Sequence, residues 1–543
     1  MEFARTREKS RAKDTLMSEH GRITKAASII GMGTLLSRIL GFLRDVVIAH
    51  FFGAGMAADA FFVAFRIPNL WRRLVGEGSL TVSFIPIYTE YLHQRPEREA
   101  KEVAHIAFTL LGLGLLMITI LGILFSPLLI RAIAPGFIEV PEKFELTVTL
   151  TRIVFPYLFF MGLFALCMGL LNAHRHFLAP ALAPIFLNIS IILCVLLFFS
   201  FFRQPVMTLA FGVLAGGVIQ FLFQIPFLWK KGIGFHWNFN FRHPAIQRIG
   251  RMMVPGVIGT AVYQLNVFVD TIFASFLPGG SVSYLFFADR LLEFPLGLFA
   301  IAIGMASLPS LSGLLSQGRW DEFKHSLWFT FHLTAFVSIP AMVGLIALKT
   351  PIVNLLFQRG LFDNLATQMT AKALLCYAIG LWAIAGVRTI VPAFYALKDA
   401  WSPLKIAILC LVANALLNSL FLFLTPLGHA GLALATSLSS MLNLFLLALR
   451  LRQRLPGIDI GKSLKHLLRN LLCSLPMGWV AYLICSLRGW NASGETVQKA
   501  ILLSGAMVGG VGIYLLLAYL LKNEELSFLI EILRKRRLKK KTL

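Results

Sequence analysis

The sequence predicts an all-α polytopic membrane protein: fourteen transmembrane helices, forming two pseudo-symmetric six-helix lobes around a central cavity, plus two extra C-terminal helices. Three observations predict it. Hydrophobic residues make up 57% of the 543, only 14% are charged, and the mean hydropathy is +0.77, whereas soluble domains carry about a quarter charged residues. Long apolar runs recur, each near the roughly 20 residues that a bilayer crossing requires. A set of residues repeats at a fixed interval along the chain.

Hydropathy with Pro, Gly and charge punctuation places the spans near 25–50, 60–90, 105–133, 146–171, 179–202, 206–229, 248–277, 282–315, 326–348, 365–396, 403–424, 428–450, 465–487 and 499–521. Alternate loops differ in charge. One set carries Arg95, Arg98 and Lys101; Arg175; Lys230 and Lys231; Arg319 and Lys324; Lys398; and Arg450, Arg452 and Arg454. The opposite set includes FFGAGMAA, LPGGS and TPLGH, which have no Lys or Arg. Basic loops stay inside, so the first set and both termini are expected in the cytoplasm. The first 22 residues are polar and basic and lack an apolar stretch ending in a cleavage site, so no signal peptide is expected.

The net charge of +24 sits mainly before the first span and after the last, in runs such as Arg534 to Lys541. Such placement fixes topology and meets anionic headgroups. No nucleic-acid recognition module accompanies it, so no nucleic-acid partner is expected. The six cysteines lie in apolar segments without CxxC or Cys/His spacing, which reads as packing. Gly461-Lys462-Ser463 glances at a phosphate-binding loop, but Gly457 to Gly461 is one residue short of its spacing.

The repeat interval is 224 residues. At that shift Phe62 to Arg66 overlays Phe286 to Arg290, Ser126-Pro127 overlays Thr350-Pro351, and Gly136 overlays Gly360. Each copy holds about six spans, an even number, so both copies enter the membrane in the same direction. Parallel repeats of this kind place a site between lobes that rock to give alternating access. The expected divisions are a basic cytoplasmic tail at 1–24, an N-lobe at 25–232, a C-lobe at 233–452, the extra helices at 453–521 and a second basic tail at 522–543.

Charges inside spans carry the functional argument. Arg38, Arg44 and Asp45 lie in span 1; Asp59, Arg72, Arg73 and Glu77 belong to span 2; Asp289, Arg290 and Glu293 lie in span 8. A mid-helix Arg or Asp costs about 2.5–3.5 kcal/mol on insertion scales. These residues therefore face water or one another. For the acids, structural ion pairs and gating roles both remain open. Once gating pairs are allowed for, Arg38, Arg44, Arg72, Arg73 and Arg290 outnumber the plausible buried acid partners, and excess guanidinium in a cavity calls for an anion. Its planar fork binds phosphate bidentately. Arg388 in span 10 either joins them or snorkels.

The chain resembles the lipid II flippase family, also called MurJ or MviN, of the multidrug/oligosaccharidyl-lipid/polysaccharide superfamily. The resemblance covers nearly the whole chain and is most specific at Ser37 to Asp45, Phe51 to Ser79 and Phe273 to Gly297. It implies a transporter of the cell inner membrane, not an enzyme. Its cargo would be lipid II, the undecaprenyl-pyrophosphate-linked precursor of peptidoglycan. It implies that Arg38, Arg44, Arg72 and Arg290, with Arg73 beside them, engage the diphosphate and headgroup. It assigns Asp45, Asp59, Glu77, Asp289 and Glu293 to gating or helix coupling. Some members hold a sodium ion at positions matching Asp270, Asn414, Asn418 and Thr436, for which interhelical hydrogen bonding is the alternative; no other cofactor is implied. Two other cargoes are weighed against this. Another polyprenyl-pyrophosphate oligosaccharide would share the diphosphate. A cation-coupled drug exporter would have twelve spans and an acid-dominated cavity.

Overall fold

The computed structural model describes residues 28–72, 74, 80–297, 301–455 and 460–541. Arg73 and Glu77, and the N-terminal basic tail at 1–24, lie outside the described residues. The chain is helical: α1 covers 28–52, followed by α2 (Met56–Trp71), α3 (Leu80–Gln94), α4 (Glu97–Leu124), α5 (Ser126–Ile133), α6 (Pro141–Val154), α7 (Tyr157–Ala173), α8 (Leu178–Phe198) and α9 (Met207–Trp229). The second half runs α10 (Pro244–Ser275), α11 (Ser281–Pro295), α12 (Ile301–Ser316), α13 (Trp320–Ala347), α14 (Lys349–Phe357), α15 (Asn364–Ile379), α16 (Leu381–Ala396), α17 (Trp401–Leu424) and α18 (His429–Arg454). It ends with α19 (Ile460–Ser486), α20 (Thr496–Leu520) and α21 (Glu524–Lys541).

The 224-residue interval holds element by element. Shifted by it, α2 falls on 280–295, where α11 lies, and α4 falls on 321–348, where α13 lies. The short helix α5 falls on α14 and α8 on α17. Even the break after each long helix is shared, because Ser126-Pro127 and Thr350-Pro351 stand at the starts of the two short helices. Proline lacks the amide that would extend the preceding helix, so both copies restart there.

Nine helices among the described residues are long and apolar enough to cross a membrane, and the bent pair α15–α16 makes ten. The expected spans missing from that set are the first, second, seventh and eighth. Spans one and seven are set apart by composition, since α1 carries Arg38, Arg44 and Asp45 and α10 carries Asp270. Spans two and eight are each described as two shorter helices, α2 with α3 and α11 with α12, of 15 or 16 residues. The four are also repeat mates, one with seven and two with eight.

The chain divides into two compact units. The first, 1–48 with 60–132 and 140–261, is built around Phe84, Tyr88, Ile106, Leu166 and Leu170, all buried. Phe84 stacks on Tyr88 with ring centroids 5.3 Å apart. Helices α8 and α9 pack closely because Gly212 and Gly216 lie against the backbone of Ile191 and Leu187; a Cβ there would sit 2.8 and 2.9 Å from their Cα atoms. Small residues four apart admit this approach where lipid gives no hydrophobic drive.

The second unit is 49–59, 133–139 and 262–543. It therefore includes two segments that the sequence assigned to the N-lobe. The reason is local and reciprocal. Gly360, at φ +58°, lies so close to His50 that a Cβ would sit 2.2 Å from its carbonyl oxygen, and Leu361 N–H donates to that oxygen at 2.9 Å. Its repeat mate Gly136 lies equally close to Ser275, with 2.4 Å from a built Cβ to the carbonyl oxygen. Only glycine fits either approach. The extra helices α19 and α20 pack with α13 in this unit, where Gly478 meets Val343 and Gly510 meets Met477. The segment 522–543, expected as a plain basic tail, is largely helix α21, and its Glu525 is 1% exposed.

Candidate functional site

In the first unit, α1 carries two arginines in different surroundings. Arg38 is exposed, while Arg44 is 8% exposed and Asp45 2%. Arg44 Nη2 donates to Asp45 Oδ1 at 2.7 Å and Nε donates to the same oxygen at 3.0 Å. Its Nη1 donates to Asn188 Oδ1 of α8 at 3.1 Å. Asn188 then donates to the Ser37 carbonyl at 3.1 Å, so one amide reads the span 1 backbone and holds its buried guanidinium. Gly41 faces that amide, with a Cβ position 3.6 Å from Asn188 Nδ2. Arg72 is half-buried, and its Nε donates to Asn69 Oδ1 one turn back at 3.0 Å.

In the second unit, Arg290 of α11 lies over the Phe286 ring, its guanidinium carbon 4.9 Å from the centroid. A π face attracts the cation. Asp289 is exposed beside it. One turn on, Glu293 accepts from Arg388 Nη2 of α16 at 3.1 Å. That answers the open question about Arg388: it ties α16 to α11.

Asp59 is fully buried and takes the N-terminus of α11. Its Oδ2 accepts from Gly280 N–H at 2.8 Å, and its Oδ1 from the Ser283 amide at 2.9 Å and hydroxyl at 2.7 Å. The first amides of a helix have no partner within it and carry the positive end of its dipole, so a carboxylate suits them.

The four residues considered for sodium meet. Asn418 Nδ2 of α17 donates to Asp270 Oδ1 of α10 at 2.8 Å and to Asn414 Oδ1 at 3.0 Å. Thr436 Oγ1 of α18 donates to Asp270 Oδ2 at 3.2 Å. Asn414 and Asn418 are fully buried, and the Asn418 Oδ1 atom has no hydrogen-bond partner among the described residues. A buried amide oxygen left without a donor beside a carboxylate fits a hard cation, for which all four side chains supply oxygen.

Sequence reasoning missed several ion pairs, and one of them joins two helices of the first unit. Arg248 of α10 forks onto Glu90 of α3 at 2.9 and 3.1 Å. The residues are 158 apart, and no local spacing announces the pairing.

These features define a class: a polytopic helical transporter built on a parallel repeat, with arginine and acid set inside its spans. The family model described as lipid II flippase MurJ matches residues 48–498. A probable lipid II flippase MurJ of Buchnera aphidicola (subsp. Acyrthosiphon pisum) is 37% identical over 506 residues, covering 92% of this chain and 97% of its own. The lipid II flippase MurJ of Burkholderia cenocepacia is 39% identical over 425 residues, 78% of this chain and 82% of its own. Among solved structures, lipid II flippase MurJ in an inward closed conformation matches with TM-score 0.76 and 27% identity, over 91% of this chain and 99% of that one. The chain belongs to the lipid II flippase MurJ family.

Proposed function

We propose that this protein flips lipid II, the undecaprenyl-pyrophosphate-linked precursor of peptidoglycan, from the inner to the outer leaflet of the cell inner membrane, with both termini in the cytoplasm. The observation that carries the proposal is the placement of arginine. Arg38 lies in α1, Arg72 just past the end of α2 and Arg290 in α11, each inside an expected membrane span, and Arg38 is exposed along α1. A wet, cationic lining offers the diphosphate charge-assisted, bidentate contacts.

The physics of the cargo sets the rest. A pyrophosphate-linked disaccharide-peptide cannot cross hydrocarbon unaided. A roughly 55-carbon tail has no reason to leave it, at about 0.8 kcal/mol per CH₂. The headgroup therefore travels through the arginine-lined route by alternating access while the tail stays in lipid. An inside-negative potential favours outward movement of each negative charge by about 2.3 kcal/mol per 100 mV. In this reading Asp59 on the α11 N-terminus holds the outer side shut, and Glu293–Arg388 couples α11 to α16. Asp270, Asn414, Asn418 and Thr436 would hold sodium, whose charge would draw α10, α17 and α18 together.

Native mass spectrometry of the purified chain tests the cargo. A co-bound polyprenyl-pyrophosphate lipid with a disaccharide-pentapeptide mass is expected. Its replacement by a different glycan mass would move the assignment to another polyprenyl-linked oligosaccharide.

A further inference from the structure

Away from the arginines, three ligand-type side chains meet where α13, α19 and α21 come together. His332, His466 and Glu525 each present one donor atom, all within 4.8 Å of one another. Glu525 Oε1 lies 3.0 Å from His466 Nδ1 and 3.9 Å from His332 Nδ1. The two imidazoles stack with planes 8° apart and centroids separated by 4.2 Å, so their Nδ1 edges address the same carboxylate oxygen. The carboxylate is 2% exposed.

The outer contacts indicate which atoms are lone pairs. His332 Nε2 is 3.1 Å from Ser463 Oγ; with the proton there, Nδ1 turns a lone pair inward. Arg469 Nη2, 3.2 Å from His466 Nδ1, can only donate, so that nitrogen presents a lone pair in the tautomer that accepts from it. In that pair of tautomers both Nδ1 lone pairs face Glu525 Oε1, and a cation among them relieves the repulsion. Arg469 supplies only distant relief: its other contact, to Glu525 Oε2, is 3.5 Å, and its buried Nε has no hydrogen-bond partner among the described residues.

We propose that His332, His466 and Glu525 form a structural site for a borderline dication of the Zn²⁺ class, pinning α21 to α13 and α19. Two imidazoles and one carboxylate are a known donor set for Zn²⁺, at bond lengths of about 2.0–2.2 Å. Donor atoms on such a tetrahedron stand roughly 3.3–3.5 Å apart, between the 3.0 and 3.9 Å seen here. Ser463 is the outer partner that fixes the His332 tautomer, a role usual for the second nitrogen of a metal-bound histidine. Binding requires one imidazole to turn out of the parallel stack so that both lone pairs point at one ion, and Arg469 to swing aside, so Arg469 competes with the metal. The consequence is mechanical. Helix α21 carries the basic run Arg534 to Lys541, and a metal staple at its first turn fixes where that run meets anionic headgroups.

The test uses the full-length chain, purified in lipid nanodiscs, stripped with chelator and titrated with Zn²⁺. One Zn²⁺ per chain is expected, with slower tryptic cleavage in the 534–541 run, and Co²⁺ in its place should give the intense visible band of a tetrahedral site. His466→Ala and Glu525→Gln should abolish both effects. Ser463→Ala should weaken binding about 10–100-fold, and Arg469→Gln should tighten it. If the ligand variants do not fold, the Co²⁺ band and the Arg469→Gln titration decide. Absence of stoichiometric metal, metal retained by both folded ligand variants, or a folded Arg469→Gln that binds none would overturn the site, the last leaving a proton-only network.

Discussion

Asp59 and Ser283 stand 224 residues apart, the same interval that separates the two copies of the repeat, and the carboxylate accepts both the amide and the hydroxyl hydrogen of its repeat mate. One copy thus supplies the acid and the other the helix N-terminus that receives it. Asp59→Ala leaves the Gly280 and Ser283 amides buried without their acceptor, at about 1–3 kcal/mol per group. Ser283→Ala removes one donor and leaves the two backbone contacts. Thermal unfolding in detergent should therefore show a larger loss for Asp59→Ala than for Ser283→Ala, and the double variant should lose less than their sum. Equal, additive losses would refute the linkage.

Arg38 and Arg44 are alike in sequence and different in surroundings, and their variants should fail differently. Arg38→Ala alters an exposed side chain, so expression and melting should stay near normal. It should nonetheless fail to support growth of cells depleted of their own lipid II flippase. Arg44→Ala removes the guanidinium from a buried Asp45, a loss of about 3–5 kcal/mol for breaking such a pair, and should lower the amount of folded protein. Adding Asp45→Asn should restore much of that folding but not transport. Normal folding of Arg44→Ala would mean that its contact to Asp45 contributes little.

Much of the fold was legible because Pro, Gly and Arg recur at one offset, and each marks a break, a close approach or a charge that apolar drift would not preserve. The site was legible only in outline. Charge inside a span announced Arg38, Arg72 and Arg290. Nothing local announced that Arg44 would turn to Asn188, 144 residues away, or that Glu293 would meet Arg388. The final segment misled for a physical reason: its Lys and Arg dominate the composition, whereas what docks it is Glu525 at its start, whose partner His466 lies 59 residues upstream. Asp270, Asn414, Asn418 and Thr436 came from family resemblance, since only the one-turn spacing of the two asparagines could be read directly.

At the Asp270 cluster the expected outcome is ion-specific. If the orphaned Asn418 oxygen and the Asp270 carboxylate hold sodium, NaCl should raise the melting temperature of the purified chain above that in equal KCl. A ligand that binds only the folded state stabilises it by mass action. Asp270→Asn should erase the difference, because three neutral oxygens and an amide hold a hard cation poorly. Equal melting in both salts for the unmutated chain would remove sodium from the mechanism.

The contact proposed to close the outer side offers a direct test of motion. A Cβ on Gly280 would lie 2.8 Å from the Ala54 carbonyl oxygen, so the connection after α1 and the start of α11 touch in this state. Gly53 and Ser281 mark the two loops, but cysteine at Gly53 would be strained: its φ is +62° and a Cβ would lie 2.5 Å from the Leu361 carbonyl oxygen. Ala54→Cys with Ser281→Cys avoids that strain. Closure should let the pair oxidise, and headgroup release on the outer side requires this contact to part, as the rocking of parallel repeats implies. Oxidation should then arrest lipid II export in cells or vesicles, and reduction should restore it. Neither single cysteine should respond to oxidant. Export that continues at full rate with the crosslink formed quantitatively would reject opening at this contact, and the Asp59–Ser283 pair would then be a static helix cap and not a gate.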